Sequence, residues 1–207
     1  MKYIIAGIHT GIGKTVVSAV LCNVLKAHYW KPVQAGIEDP TDTETIQELL
    51  MGEAKIVSER HVLKMPASPH IAAYVEGIKI QLSDFELPVH NNLIVETAGG
   101  IMSPLGNGIT NLDLMQKLDL PVILVVGDYL GSINHSLMSI EVLKSTKLTI
   151  RGLVFSGTPV QSSRDYIAEY SGLPVLAEVP MFDFDNKKEF DQYCLKVGDR
   201  IREELSV

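Results

Sequence analysis

Residues 3–15 read Tyr-Ile-Ile-Ala-Gly-Ile-His-Thr-Gly-Ile-Gly-Lys-Thr, a short apolar run that ends in a glycine-rich loop and closes with Gly13, Lys14 and Thr15 at the start of a helical pattern. Strand, tight loop and helix in that order open an α/β fold, and the loop's chemistry restricts it further. Backbone N–H groups of Gly11, Ile12 and Gly13, freed by the glycines, can wrap phosphates. Lys14 can neutralise charge on the β- and γ-phosphates, and the Thr15 hydroxyl can ligate Mg²⁺. The following helix points its positive end at the anion, beginning at Val16. One detail departs from the G-x-x-x-x-G-K-[ST] template, because Ile8 stands where it wants glycine and the glycine comes one place early, at Gly7.

Downstream, apolar strands alternate with amphipathic helices, which predicts a mostly parallel β-sheet with helices on both faces. Strands are expected over 3–6, 29–33, 93–96, 121–126, 152–155 and 174–179. Helices are expected over 15–27, 42–51, 112–118, 133–144, 164–170 and 187–204, with 65–76 becoming helical towards Glu76. The helix at 42 follows a turn at Asp39 and Pro40. No repeat, low-complexity stretch or linker divides the chain, so residues 1–207 read as a single domain.

The balance of 18 Lys and Arg against 25 Asp and Glu, a formal charge of −7, argues against nucleic acid as a partner. No apolar run approaches the roughly 20 residues of a membrane span. The segment Met1–Ala6 reads as a buried strand rather than a signal peptide. Two cysteines, Cys22 and Cys194, form no metal or redox motif, which fits a reducing, cytoplasmic location.

In open parallel sheets ligands sit beyond the carboxyl ends of the strands, so the loops there hold the candidate residues. Lys31 ends a short strand and is followed by Pro32; taken alone it reads better as a surface lysine, and only the surrounding segment turns it towards a ligand. Glu96 closes an apolar run and is costly to bury unless paired or near a metal. Thr97, Ala98, Gly99 and Gly100 follow it and let the backbone approach a ligand. Asp42 reads as a helix cap or as a ligand. Ser68, Pro69 and His70 open a helix. Gly131, Ser132, Ile133 and Asn134 open another, whose free N–H groups suit a carboxylate; capping by Ser132 or Asn134 is the other reading, and the two are compatible.

Taken in order, Gly7, Thr10 and Gly13–Thr15, Lys31–Gln34, Asp42, Ser68–His70, Val95–Glu96 with Ala98–Gly100, Pro121–Val126 and Gly131–His135 resemble the dethiobiotin synthetase family. The resemblance implies a P-loop NTPase-like, three-layer architecture of Rossmann type and a homodimer. It implies a ligase that closes a ureido ring on 7,8-diaminopelargonate, using CO₂ and a Mg²⁺-nucleoside triphosphate. The steps would be carbamate formation, phosphorylation to a carbamic-phosphoric anhydride, and closure by the second amine.

By position, Lys14, Lys31 and Thr10 would serve catalysis, and Thr15, Asp42 and Glu96 would hold Mg²⁺. Gly11–Val16, Thr97–Gly99, Ser156, Gly157, Pro180, Met181 and Phe182 would contact nucleotide. Thr10, Lys31, Ala35 and Gly131–Asn134 would contact substrate, the last group across the dimer interface. Three departures from the family's usual residues stand out: His9 stands for an aspartate, Ala35 for a hydroxyl residue, and Ser156-Gly157 for an Asn-Asp pair that reads adenine. ATP is the expected co-substrate, with GTP and CTP left open. A partitioning or division-regulator ATPase is the competing reading; that class carries a second lysine early in its loop, where this chain has His9. The synthetase domain of a cobyrinate amidating enzyme is another, without the amidotransferase domain usually fused to it.

Overall fold

The computed structural model describes residues 1–37, 40–183 and 186–205; Asp39 of the expected 39–40 turn lies outside them. The chain runs β1 (Lys2–Gly7), α1 (Lys14–Leu25), β2 (His28–Trp30), β3 (Val33–Ala35), α2 (Asp42–Leu49), β4 (Lys55–Val57), β5 (His61–Leu63) and α3 (Pro69–Glu76). It continues through β6 (Leu93–Gly100), β7 (Pro104–Gly106), β8 (Ile109–Thr110), α4 (Asn111–Leu118), β9 (Val122–Gly127) and α5 (Ser132–Lys144). Then come β10 (Ile150–Ser156), α6 (Gln161–Ser171), β11 (Val175–Val179) and α7 (Lys187–Leu205).

Seven strands form one parallel sheet in the order β11-β10-β9-β1-β6-β2-β4. All of β9 and every residue of β1 after Lys2 are buried, as a central strand covered on both faces requires. The strand order reverses at β1, with β6 on one side and β9 on the other. The connection leaving β1 runs to β2 on one side and that leaving β9 runs to β10 on the other, so the crevice opens at the carboxyl end of β1, above the glycine-rich loop. Helix α1 packs against α2 and α7, and α5 against α6. The α7 stripe Phe190, Cys194, Gly198, Ile201 and Leu205 turns inward at helical spacing.

The strand expected over 29–33 is two strands. β2 stays in the main sheet, while β3 pairs with β5 in a separate parallel ribbon. The break falls at Lys31-Pro32. Pro32 has no N–H for a ladder, and its carbonyl is taken by the N–H groups of Arg60 and His61, which steer the chain to β5. The helix expected to reach Ala27 stops at Leu25, because Lys26 adopts a left-handed conformation (φ 51°) and its N–H closes onto Asn23 and Cys22. A lysine gives no sequence signal for such a stop. Strands β4, β5, β7 and β8, of two or three residues each, are too short to show a period.

Two helices carry reciprocal N-terminal caps, Thr41 with Glu44 and Thr110 with Asp113. The Thr110 cap holds the Asp113 carboxyl below its ordinary range. Thr110→Ala is expected to lower unfolding free energy by about 1 kcal/mol, read as a reduced urea midpoint at unchanged slope. Both cysteines are free and buried. Burial pushes the Cys22 thiol well up and that of Cys194 to about 12, so neither is a reactive thiolate. Among the described residues no helix is long and apolar enough to cross a membrane.

Candidate active site

The glycine-rich loop owes its shape to two close approaches. A Cβ on Gly7 would lie 2.9 Å from Lys14 Cδ and 3.0 Å from the His9 carbonyl oxygen. Glycine is therefore needed at 7 so that Lys14 can fold back under its own loop, whereas Ile8 turns into an apolar environment and stays buried. Gly13 adopts φ +84° at the start of α1, and a Cβ there would fall 2.1 Å from Ser156 Oγ. The end of β10 thus supports the loop from below. Lys14 is buried and donates to the His9 carbonyl at 3.0 Å. Burial, then repulsion from Lys31, lowers its pKa to about 8 against the pull of Glu96 and Asp42. An anion in the loop would raise it again.

Three elements converge beside the loop. Lys31, 4% exposed, leaves the end of β2 with Nζ 2.8 Å from Asp42 Oδ2 and 2.9 Å from Glu96 Oε1. The Thr15 hydroxyl lies 2.5 Å from Asp42 Oδ1 and 3.1 Å from Glu96 Oε1. Ser18 and Tyr29 donate to Glu96 Oε2 at 2.8 and 3.0 Å. Burial alone would depress the Lys31 pKa, but the Glu96 and Asp42 carboxylates outweigh it and hold the ammonium above the ordinary lysine value. Burial likewise acts to raise Asp42, and Lys31 with Thr15 overcomes it and keeps that carboxyl low. Asp42 is not a cap, since Thr41 fills that role. Lys31 is not a surface lysine, and Glu96 is ion-paired.

This hydroxyl with two carboxylates is a hard-oxygen donor set that suits a small divalent cation. Among the described residues no group of three or more His, Cys, Asp or Glu could hold a metal alone. A cation here would complete its shell with phosphate oxygens and water.

Thr10–Thr15, Lys31, Ala35, Asp42, Glu96, Ala98 and Gly99 line one cavity of about 550 Å³, closed opposite by Pro66–Pro69 and Ser103. A second cavity, about 720 Å³, lies across the loop. It takes in Gly11–Gly13, Thr15 and Val16 together with Ser156, Gly157 and Pro180–Phe182. Gly131–Asn134 line a third, about 900 Å³, with Leu130 and Tyr166. Gly131 stands at the N-cap of α5 and no side chain caps that helix, so Ser132 and Asn134 do not fill the capping role. Thr97 lines none of these cavities, and its hydroxyl donates to the Ile5 carbonyl inside the sheet at 3.3 Å. His9 is exposed, donates from Nδ1 to the Thr10 carbonyl at 2.8 Å, and packs against Tyr129 and His135.

Sequence reasoning missed Ser18, Tyr29, Ser103 and Thr158, the last of which lines the second cavity. Two of them had a signal: Ser18 lies one helical turn beyond Lys14, and Tyr29 lies two residues before Lys31 on the same strand face.

A family model described as an AAA domain matches residues 1–184. The ATP-dependent dethiobiotin synthetase BioD of Cytophaga hutchinsonii is 43% identical over 201 residues, 96% of this chain and 97% of the relative. The same-named protein of Christiangramia forsetii is 40% identical over 98% of both chains. Among solved structures, the MinD cell division protein of Aquifex aeolicus superposes with a TM-score of 0.57 over 100% of this chain and 97% of its own, at 13% identity. A ParA family ATPase from Chlorobium tepidum gives 0.54 over 100% and 99%, also at 13%. At that identity the structural likeness establishes the P-loop α/β fold alone.

Proposed function

The chain belongs to the ATP-dependent dethiobiotin synthetase family, and from that premise we propose that its single domain, residues 1–207, closes the ureido ring of dethiobiotin from 7,8-diaminopelargonate and CO₂. The observation that carries this reading is Lys31, buried between Asp42 and Glu96 in the same cavity as Lys14. A switch ATPase of the same fold leaves such a lysine without a task. A ligase that makes an anionic carbamate and then phosphorylates it needs two fixed cations at the reacting atoms.

The order of events follows from charge. One neutral amine of the diamine attacks CO₂, forming the N–C bond and a carbamate, whose negative charge Lys31 and Lys14 face. The carbamate oxygen attacks the γ-phosphorus of ATP and ADP leaves. Lys14 and the N–H groups of Gly11–Gly13 hold the phosphoryl oxygens throughout. The second amine then attacks the carbamoyl carbon, the C–O bond to phosphate breaks, and the ring closes. Thr10, Ala98 and Gly99 line the cavity within which both amines must be held. Thr15, Asp42 and Glu96 would hold Mg²⁺, which neutralises phosphate charge when bound.

The nucleotide would extend into the second cavity, its base between Pro180–Phe182 and Ser156-Gly157. No side-chain amide stands at those positions, so GTP and CTP belong beside ATP in any assay. The Gly131–Asn134 helix start suits the substrate carboxylate in a homodimer with the site at the interface. The family's chemistry and the two free thiols fit a cytoplasmic enzyme.

Incubation with diaminopelargonate, labelled bicarbonate, Mg²⁺ and each nucleotide should put label in an acid-stable product, with phosphate release that depends on the diamine. Phosphate release indifferent to the diamine would reassign the chain to the switch ATPases.

A further inference from the structure

The proposed reaction sheds protons in a cavity whose obvious groups cannot take them. Each alkylammonium must lose one proton before its nitrogen can attack, and each nitrogen sheds another as its new N–C bond forms. Lys31 is held charged by Glu96 and Asp42. Both carboxylates are occupied by Lys31 and Thr15, and Ser103 Oγ accepts from the Gly100 N–H. Lys14 is committed to the phosphates.

One cavity-lining hydroxyl remains with a base attached. Ser68 lines the cavity from the wall opposite the glycine-rich loop. It stands at the N-cap of α3, yet its hydroxyl makes no capping bond; Oγ lies instead 2.9 Å from His70 Nδ1. His70 is exposed, so the far side of its ring meets water. A half-buried hydroxyl on the reaction side and an imidazole on the solvent side form a two-member chain through the cavity wall.

We propose that Ser68 and His70 are the proton exit of the ligase, a role that rests on the ring-closing reading given above. In the Nε2–H tautomer the Ser68 hydroxyl donates to Nδ1. As an amine proton passes to Ser68 Oγ, the proton of that hydroxyl passes to His70 Nδ1. The substrate nitrogen keeps its electron pair for the new N–C bond. The exposed imidazolium then turns about Cβ–Cγ, gives its Nδ1 proton to water and turns back in the Nε2–H tautomer, ready for the next proton. The same relay serves each deprotonation, and no further reactant is needed. An imidazole has two ring nitrogens, one to accept a proton and one to carry one, which suits it to pass protons from a site to water.

The test compares wild type, His70→Ala, His70→Gln and Ser68→Ala, measuring diamine-dependent phosphate release between pH 5.5 and 9, with and without added imidazole. Both His70 variants are expected to lose about 10²-fold in kcat, with KM for ATP unchanged and the acid limb of the profile abolished. Added imidazole should restore part of the His70→Ala rate. Ser68→Ala should be similarly slow, and the double variant no slower than either single one. Far-UV circular dichroism and urea midpoints near wild type separate this from a folding defect. Wild-type turnover in His70→Ala, or loss of rate without imidazole rescue or change in the pH profile, overturns the relay alone. A wild type that releases no phosphate in response to the diamine overturns the substrate reading and the relay with it.

Discussion

Lys31→Met is expected to lower diamine-dependent turnover by about 10²-fold or more. In the proposed reaction Lys31 is the charge that faces the carbamate, and it is preorganised rather than recruited. Two carboxylates fix its Nζ at 2.8 and 2.9 Å, and it is 4% exposed, so no solvent has to reorganise when the transition state forms. Methionine keeps the length of the side chain and removes the charge, leaving Glu96 and Asp42 without their cation. Breaking a buried pair from one side costs about 3–5 kcal/mol, so the urea midpoint should fall as well. Measuring kcat under conditions where circular dichroism shows a folded protein separates the two effects. A folded Lys31→Met enzyme with wild-type turnover would remove this lysine from the mechanism.

The same substitution has a pH signature. The Asp42 carboxyl is held low, so its contribution to stability is present above the ordinary aspartate pKa of about 3.9 and is lost as pH falls through its depressed value. The Lys31 pKa is raised, so its contribution is complete below the ordinary lysine value of about 10.4 and is lost as pH rises through the raised one. Metal-free wild type should therefore show stability from this cluster across the whole neutral range. Without Lys31, only the Thr15 hydrogen bond and the Lys14 charge still oppose burial, so the Asp42 carboxyl moves up. The acid limb of the stability curve should then move to higher pH in Lys31→Met.

The second large effect is expected at Glu96. Its carboxylate, 1% exposed, joins Thr15, Ser18, Tyr29 and Lys31. Glu96→Gln keeps the shape and much of the hydrogen bonding but removes a charge from the cation-holding set. Turnover at saturating ATP should drop about 10²-fold, and raising Mg²⁺ should recover part of it. Glu96→Ala should do worse, because it orphans the Ser18 and Tyr29 hydroxyls in addition, at about 1–3 kcal/mol for each. Equal stability for the Gln and Ala variants would show that these hydroxyls find other partners.

Much of the fold was legible because its signals are local. The buried runs at 3–6, 93–96 and 121–126 and the glycine-rich turn each announce themselves within a few residues. The fold stayed illegible where an element is short or ends without a breaker, as at β4, β5 and Lys26. Candidate residues were legible as types beyond strand ends, and Lys14, Thr15, Lys31, Asp42 and Glu96 do meet in one cavity. Thr97 shows the limit. It sits in the right segment, yet strand alternation turns its side chain towards Ile5.

The sequence by itself determined the glycine-rich loop, its lysine and threonine, and the parallel α/β frame around them, since these depend on backbone conformation and on residues close along the chain. Only the tertiary structure decided that Lys31 is a buried cation rather than a surface one, and that Asp42 turns from its helix start to meet it. It also decided that Ser68 leaves its helix uncapped to meet His70. The roles of Lys31 and Asp42 depend on groups 11 to 65 residues away being brought within 3 Å, and on burial, which strengthens each charge by excluding the water that would screen it.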